Sequence, residues 1–155
     1  MQKVTTFLWF NDQAEEAAKL YCSIFPSSRL LDVSRAPEGT PGIGGKVMSV
    51  SFELAGQQYF ALNGAGPDRK FSDTISLFVR CEDQAEIDRL WDALLANGGT
   101  PTQCGWLRDK FGVAWQIVPS KLSTYLKGPT GGKVMQAMLP MQKLDIATLE
   151  RAYGS

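Results

Sequence analysis

The sequence predicts an α+β fold in which two β-α-β-β-β modules follow one another within a single domain and a helical tail completes the chain. The first observation is a repeat: an apolar strand at residues 5–10 leads into Asp12-Gln13-Ala14-Glu15, and a second at residues 74–79 leads into Asp83-Gln84-Ala85-Glu86. Strand signals follow the helix in both copies, and only helical periodicity follows residue 120. Such self-similarity indicates one unit used twice, with module one at 1–64, module two at 73–119 and the tail at 120–155.

Module one begins with a strand at residues 4–10, rich in β-branched and aromatic side chains. Asn11 or Asp12 can cap the helix that follows, and Pro26 ends that helix. Strands are then predicted at 29–35, 47–54 and 58–63, the second of which alternates apolar and polar residues.

Module two repeats this order, with a strand at 74–81 and a helix at 84–97 that Gly98 and Gly99 terminate. Further strands are predicted near Pro101 and at 102–107 and 113–119, the last two joined by a turn at 109–112.

The tail has short helical stretches, broken at Gly128-Pro129 and at Pro140. Helices of this length are not stable alone in water, so we expect them to pack on the sheet or on a second subunit. The cluster of Met135, Met138 and Met141 could form either a ligand surface or a core or dimer contact.

Composition excludes several classes of function. The 155 residues carry 16 basic and 16 acidic side chains, so the net charge of +0 gives no electrostatic case for nucleic acid or an anionic membrane. No apolar stretch approaches the length of a membrane span. We expect no secretion signal, and three widely spaced cysteines without a CxxC pair indicate a reducing, cytoplasmic location.

The absence of histidine is more informative than the net charge. With His 0 in the sequence, Ser-His-Asp and Cys-His catalysis and histidine-based metal sites are excluded. Any catalysis must use a carboxylate, thiol, hydroxyl, amine or an imported cofactor.

Three strings carry a resemblance to a known family: Leu8-Trp9-Phe10 followed by Ala14-Glu15-Glu16-Ala17-Ala18; Phe60-Ala61-Leu62-Asn63-Gly64; and Cys104-Gly105-Trp106-Leu107-Arg108-Asp109-Lys110-Phe111-Gly112, continuing as Trp115-Gln116-Ile117-Val118-Pro119. Together they resemble the PhnB-like group, often labelled 3-demethylubiquinone-9 3-methyltransferase, of the vicinal oxygen chelate superfamily, which includes glyoxalase I and bleomycin-resistance proteins. The resemblance extends over essentially the whole chain, tail included. It implies paired sheets that curl into half-barrels, each enclosing a cleft.

The superfamily's metal positions, carried over by this resemblance, fall on Thr5, Ala61, Thr74 and Gln116. Alanine has no donor atom, and neutral hydroxyls are weak ligands for divalent transition metals. Since a catalytic zinc site needs three strong protein ligands, we expect no metal and no other resident cofactor.

Strand alternation assigns side chains to the cleft. An aromatic wall with scattered hydroxyls and amides suits a flat organic molecule, such as an aromatic or quinone-like compound. The alternative is a small barrel filled by its own side chains. The predicted pocket residues are Thr5, Phe7, Trp9, Ser51, Glu53, Asn63, Thr74, Ser76, Phe78, Trp106 and Gln116.

Individual residues leave alternatives open. Glu53 is the candidate general base, unless it pairs with Arg80 or Arg108 or reaches solvent. Cys104 is either a nucleophile or a buried structural thiol. Trp106 lines either the pocket or a dimer seam.

The methyltransferase label implies a glycine-rich turn between a strand and a helix for S-adenosylmethionine, whereas Gly42-Ile43-Gly44-Gly45 lies in a loop before a strand. Three hypotheses follow: a small-molecule binding protein, an enzyme of unknown reaction using an external cofactor, or a partner-binding module. We also expect a homodimer, since half-barrels expose strand edges.

Overall fold

The computed structural model describes residues 2–155 and shows an α+β fold of two βαβββ modules followed by helices. The chain forms two compact units, the first ending at Lys70 and the second running from Phe71 to Ser155. None of the helices formed by residues 2–155 combines the length and the apolar character needed to cross a lipid bilayer.

Unit 1 contains one helix and one mixed four-stranded sheet. Its elements are β1 (Thr6–Trp9), α1 (Ala14–Ile24), β2 (Arg29–Arg35), β3 (Val47–Leu54) and β4 (Gln57–Leu62). The sheet order is β1-β4-β3-β2, with β1 parallel to β4 and the other neighbours antiparallel. The connection from β1 through α1 and the two following strands therefore places the first and last strands side by side.

The core of unit 1 lies between α1 and one face of this sheet. Small residues on α1 let the helix approach the strands, and the Tyr21 ring meets the Phe52 ring at 6.4 Å. Phe52 in turn stacks on Tyr59 at 5.6 Å. The alternation predicted for 47–54 is confirmed, because Val50, Phe52 and Leu54 are buried against the helix.

Unit 2 repeats the same arrangement. Its elements are β5 (Ser76–Cys81), α2 (Gln84–Leu95), β6 (Thr100–Pro101), β7 (Trp106–Arg108) and β8 (Ala114–Pro119). The sheet order is β5-β8-β7-β6, with β5 parallel to β8. The repeat found in the sequence is thus a repeat of topology as well as of residues.

The predicted strand at 102–107 is wrong at its start, since β7 begins only at Trp106. Cys104 and Gly105 both have positive φ angles, of 57° and 87°, which the extended conformation of a strand does not allow.

The tail forms α3 (Leu122–Lys127), α4 (Gly131–Met138) and α5 (Ile146–Tyr153). These helices are part of unit 2 and pack on its strand β8 through a cluster of buried residues, as expected for helices too short to be stable alone. Val118 of β8 belongs to this cluster together with Val134, Leu144 and Leu149. Because Val118 follows Gln116 by two residues in the strand, the tail covers one end of the sheet face that carries Gln116.

Candidate functional site

Each sheet has one face covered by its own helix and one face that its helix leaves open. In unit 1 the register pairs Phe7 with Phe60 and Trp9 with Leu62, so these four side chains share a face. Ser49, Ser51 and Glu53 alternate with the buried residues of β3 and lie on the same face. We call this surface the open face of unit 1.

Aromatic side chains dominate the open face of unit 1. Phe7 is 55% exposed and Trp9 is 42% exposed, whereas Leu8 between them is buried on the helix side. The rings of Phe7 and Phe60 meet at 5.9 Å in a tilted arrangement. Two rings exposed to this extent on a sheet face offer a surface on which another planar group can stack.

Trp9 is held in place by two contacts from within unit 1. Its indole Nε1–H donates to the carbonyl oxygen of Asn63 at 3.3 Å. The guanidinium of Arg69 lies 4.7 Å from the ring centroid, within the range of a cation–π contact. The indole is therefore oriented before any ligand arrives.

A depression with a volume of about 590 Å³ lies on this face. This is within the range of about 300–1,000 Å³ found for small-molecule sites. Its lining combines apolar rings with hydroxyls, amides and one cation: Gln2, Lys3, Thr5, Phe7, Ser49, Gln58, Phe60 and Leu62.

Glu53 lies at the far end of this face and is paired with a neighbour across the ladder. Arg29 is its register partner, and the Arg29 Nε lies 3.7 Å from Glu53 Oε1. The expected partners Arg80 and Arg108 make other contacts. The pairing is thus set by the β2–β3 register.

Asn63 does not lie on the open face with the other predicted pocket residues of unit 1, but forms part of the wall of a second cavity in this unit. Its Oδ1 accepts a hydrogen bond from the backbone N–H of Ala14 at 2.8 Å, and its Nδ2 donates to the carbonyl of Val47 at 3.1 Å. The helix N-cap residue, Gln13, makes no side-chain capping bond. Asn63 therefore supplies, from a distant strand end, the acceptor that the first turn of α1 needs.

In unit 2 the corresponding open face brings together Ser76, Phe78, Trp106 and Gln116. Gln116 pairs in register with Phe78 on one side and Trp106 on the other. Gln116 Nε2 donates to Ser76 Oγ at 3.0 Å. An amide thus lies between two aromatic side chains and is oriented by a hydroxyl.

The edges of this second face are also occupied by defined contacts. The Arg80 guanidinium lies 5.1 Å from the centroid of the Phe78 ring. Arg108 binds Asp73 through two hydrogen bonds, of 2.9 and 2.6 Å. Thr74 precedes β5 and its hydroxyl lies 2.7 Å from that of Ser72, so it is at the border of the face rather than on it.

The three cysteines are free thiols. Burial raises the pKa of Cys81 to about 12, with Glu86 adding to the effect. The sulfur of Cys104 lies 3.7 Å from the carbonyl oxygen of Met138, where the segment that leads into β7 contacts the tail. That position fits a structural thiol better than a nucleophile.

The residues at the superfamily's metal positions do not fit a metal. Ala61, which the resemblance puts at a metal position, is fully buried on the helix side and paired with Leu8, so it does not lie on the open face. Its neighbours on the open face, Phe60 and Leu62, also lack donor atoms. Gln116 donates through Nε2 to Ser76 Oγ, and its one neutral amide oxygen cannot by itself hold an ion in competition with water. Within residues 2–155, no three His, Cys, Asp or Glu side chains come together in a way that could hold a metal ion.

Asp109 has a role beyond the turn that the sequence predicts at this position. Its side chain is 3% exposed and accepts hydrogen bonds from the N–H groups of Phe111 and Val113 and from Trp115 Nε1. A carboxylate three residues before a turn glycine is a signal that the sequence offers, but its buried indole partner is visible only in the fold.

The sequence matches the profile of the family described as 3-demethylubiquinone-9 3-methyltransferase over residues 2–118. A putative 3-demethylubiquinone-9 3-methyltransferase, PhnB protein, from Bacillus cereus is similar at 36% identity. The alignment covers 76% of this chain and 99% of that one, with a TM-score of 0.69. No curated protein matches the sequence.

Two further solved structures share the fold. Protein PA1353 from Pseudomonas aeruginosa is 22% identical, with a TM-score of 0.64 over 77% of this chain and 98% of that one. The fosfomycin resistance protein FosX from Listeria monocytogenes is 16% identical, with a TM-score of 0.56 over 82% of this chain and 98% of that one.

These matches correct the expected extent of the resemblance. The family profile ends at residue 118, and about three quarters of this chain covers nearly the whole Bacillus cereus protein. The helices from α3 onward are therefore additional to the part of the chain that the family profile describes.

Proposed function

The chain belongs to the 3-demethylubiquinone-9 3-methyltransferase (PhnB-like) family, of the vicinal oxygen chelate fold, and from that premise we propose that it binds a planar aromatic or quinone-like molecule without the superfamily metal. One observation carries the proposal: Phe7 and Trp9 are exposed side by side on the open face of unit 1, next to a depression of about 590 Å³. Stacking supplies affinity on such a surface, and the neighbouring hydroxyls supply orientation.

The polar groups of the open face suit the edge of a quinone. Ser49 and Thr5 line the depression and each offers a hydroxyl that can donate to a ring carbonyl. Lys3 adds a cation at the border. The family's description names a quinone, which agrees with this combination of rings and donors.

The first test is native mass spectrometry of the freshly purified protein, with metal analysis of the same sample. A bound organic compound without metal supports the proposal, and its mass identifies the class of ligand. Stoichiometric metal overturns the metal-free part of the proposal.

The second test is titration with 2-methyl-1,4-naphthoquinone, followed by quenching of tryptophan emission. Phe7→Leu keeps apolar volume and removes the ring, so the Kd should rise by about tenfold, as for loss of one stacking contact. Tyr153→Leu removes an exposed ring of the tail and should leave the Kd unchanged. Equal Kd values for wild type and Phe7→Leu would sink the proposal for this face.

The family's description also favours a second candidate, methyl transfer to a demethylated quinone with an external cofactor and Glu53 as base. Two features argue against it. Glu53 is paired with Arg29, and the glycine-rich loop joins the antiparallel strands β2 and β3 rather than a strand and a helix. A tryptophan response to S-adenosylmethionine, lost in Glu53→Gln, would favour the enzyme over the binding protein.

We also propose that the chain forms a homodimer. β2 is an edge strand with Leu31 40% exposed, and Val4 beside β1 is 83% exposed. Edge strands with apolar side chains are surfaces on which a second chain can pair. A sedimentation mass near 17.0 kDa, the mass of one chain, would contradict this proposal.

A further inference from the structure

Unit 1 contains a second cavity on the other side of its sheet from the open face. The volume of this cavity is about 570 Å³, and Met48 is part of its wall. Met48 alternates with Ser49 along β3 and therefore points to the side of α1, away from Phe7 and Trp9. Nothing in the proposed function uses this cavity.

The loop that forms one wall is held by its own hydrogen bonds. Ala36 N–H donates to the carbonyl of Lys46, and Gly45 N–H donates to the carbonyl of Ala36, both at 2.9 Å. Gly44 N–H donates to the carbonyl of Thr40 at 3.0 Å within the loop. A wall closed in this way is preformed, which lowers the entropy cost of binding.

Two cationic side chains border the cavity, and each has N–H donors that are not used by the other described residues of unit 1. Arg35 uses Nη1 for the carbonyl of Gly45 at 3.3 Å, which leaves most of its guanidinium N–H groups unused. Lys46 makes no ion pair or side-chain hydrogen bond with any part of the chain that the structure describes. Arg35 and Lys46 are the two cations of the lining and Asp12 is its one carboxylate, while the Glu38 carboxylate lies against Gly45 in the loop wall.

The rest of the rim is apolar. Ile43 is 46% exposed and Met48 is 41% exposed, although both are large apolar side chains. Methionine is flexible and adapts to ligands of irregular shape. The cavity thus combines a cationic end with an apolar rim, and neither property requires an aromatic partner from the open face.

We propose that this cavity binds a small amphipathic anion, in which a compact apolar or aryl group carries one carboxylate or phosphate. The anionic group binds Arg35 and Lys46, and the apolar part covers Ile43 and Met48. The site is independent of the aromatic open face, so both can be occupied at once.

The test follows Met48 by NMR of the intact protein labelled with 13C in its methionine methyl groups, with 1-naphthyl phosphate as the probe. The sequence has 5 methionines, and the signal missing in Met48→Leu identifies Met48. We expect a saturable shift of this signal. The neutral analogue 1-naphthol should bind about tenfold more weakly or not at all, since it lacks the charge-assisted contacts.

Variants locate the anion. Arg35→Gln and Lys46→Gln should each raise the Kd for 1-naphthyl phosphate about tenfold. The control Lys19→Gln removes an exposed cation already paired with Glu15 and should change nothing. Phe7→Leu should also leave the Met48 shift intact. A Met48 signal that does not move, a Kd unchanged in both cation variants, or loss of the shift in Phe7→Leu would each overturn the proposal.

Discussion

Trp115 donates its indole Nε1–H to Oδ2 of Asp109 over 2.9 Å, and both side chains are almost completely buried. The other carboxylate oxygen of Asp109 accepts the N–H groups of Phe111 and Val113, at 2.9 and 3.0 Å. One buried carboxylate thus fixes the turn between β7 and β8 and anchors the largest core side chain of β8. Its removal leaves several donors without an acceptor.

Asp109→Asn should therefore destabilise the protein, although it barely changes the size of the side chain. The amide can present only one acceptor oxygen, so either the turn or the indole faces an N–H donor instead. We expect a loss of about 2 kcal/mol in the free energy of unfolding, and more than about 3 kcal/mol for Asp109→Ala. Urea unfolding followed by tryptophan emission measures both values.

The control for this pair of variants is Asp92→Asn, which removes an exposed carboxylate from α2. Its free energy of unfolding should stay close to that of the wild type. A similar loss in Asp92→Asn and Asp109→Asn would mean that net charge, rather than the buried hydrogen bonds, accounts for the effect.

Gly105 and Gly56 form a matched pair for testing how closely the tail packs against the segment that leads into β7. Both have positive φ angles, of 87° and 83°, but a Cβ at Gly105 would lie 2.8 Å from the carbonyl oxygen of Ile117 and 3.1 Å from Leu144. A Cβ at Gly56 would meet nothing within 4 Å. Only the first position therefore combines an unfavourable backbone conformation with a steric clash.

Gly56→Ala should cost about 1–2 kcal/mol of unfolding free energy, the cost of a left-handed conformation alone. Gly105→Ala should cost distinctly more, and it should also shift the emission of Trp106, the next residue. Thermal unfolding with tryptophan fluorescence measures both effects. Equal losses at the two positions would contradict the close contact between Leu144 of the tail and Gly105.

The sequence predicted the elements well because each carries a local signal. The repeat, the helix starts and the alternation from Val47 to Leu54 all depend on neighbours within a few residues. The candidate site was predicted less completely, because it depends on strand register. The sequence did not reveal that Ala61 pairs with Leu8 on the helix side, or that Arg29 is the partner of Glu53.

Asn63 is another residue whose contacts cannot be predicted from its neighbours in the sequence. The sequence predicts Asn63 as a pocket residue, but it gives no sign that the side chain also binds Ala14, which is 49 residues away in the sequence. No local sequence pattern indicates that a helix will be capped by a residue so far away along the chain. Residues of this kind can be assigned only after the fold has brought the two segments together.

Cys81 should resist alkylation in the folded protein. Its side chain is fully buried, and its pKa is raised from 9.0 to about 12, so little reactive thiolate forms at pH 8. In the double variant Cys22→Ser/Cys104→Ser, iodoacetamide should modify Cys81 only as fast as the protein unfolds. The rate should rise with urea in parallel with the unfolded fraction, measured by mass spectrometry.

The matched control is a protein in which Cys22 is the only cysteine, since this thiol is half-buried and its pKa is also raised by burial. It should be modified faster than Cys81 in the absence of urea. The raised pKa of Cys81 has a consequence for stability as well. Its contribution is present below pH 9.0 and is lost as the pH rises toward about 12.

Asp88 connects α2 to the tail, and its titration should report on that connection. Gln84 Nε2 donates to Asp88 Oδ1 at 3.0 Å, and Lys143 Nζ lies 2.9 Å from the same oxygen. The hydrogen bond from Gln84 lowers the pKa of Asp88 most, followed by that from Lys143. Gln84 also binds the tail directly, through the carbonyl of Leu144 and the N–H of Ile146.

Because the folded-state pKa of Asp88 lies below 3.8, ionised Asp88 favours the folded state above that pH. This contribution is lost as the pH falls through the lowered pKa. Carboxyl 13C NMR should show the pKa of Asp88 rising in Gln84→Ala and rising less in Lys143→Gln. Lys121→Gln removes a tail cation that does not contact Asp88 and should leave the titration unchanged. A pKa of Asp88 that stays the same in both partner variants would mean that the tail is not held at the start of α2 in solution.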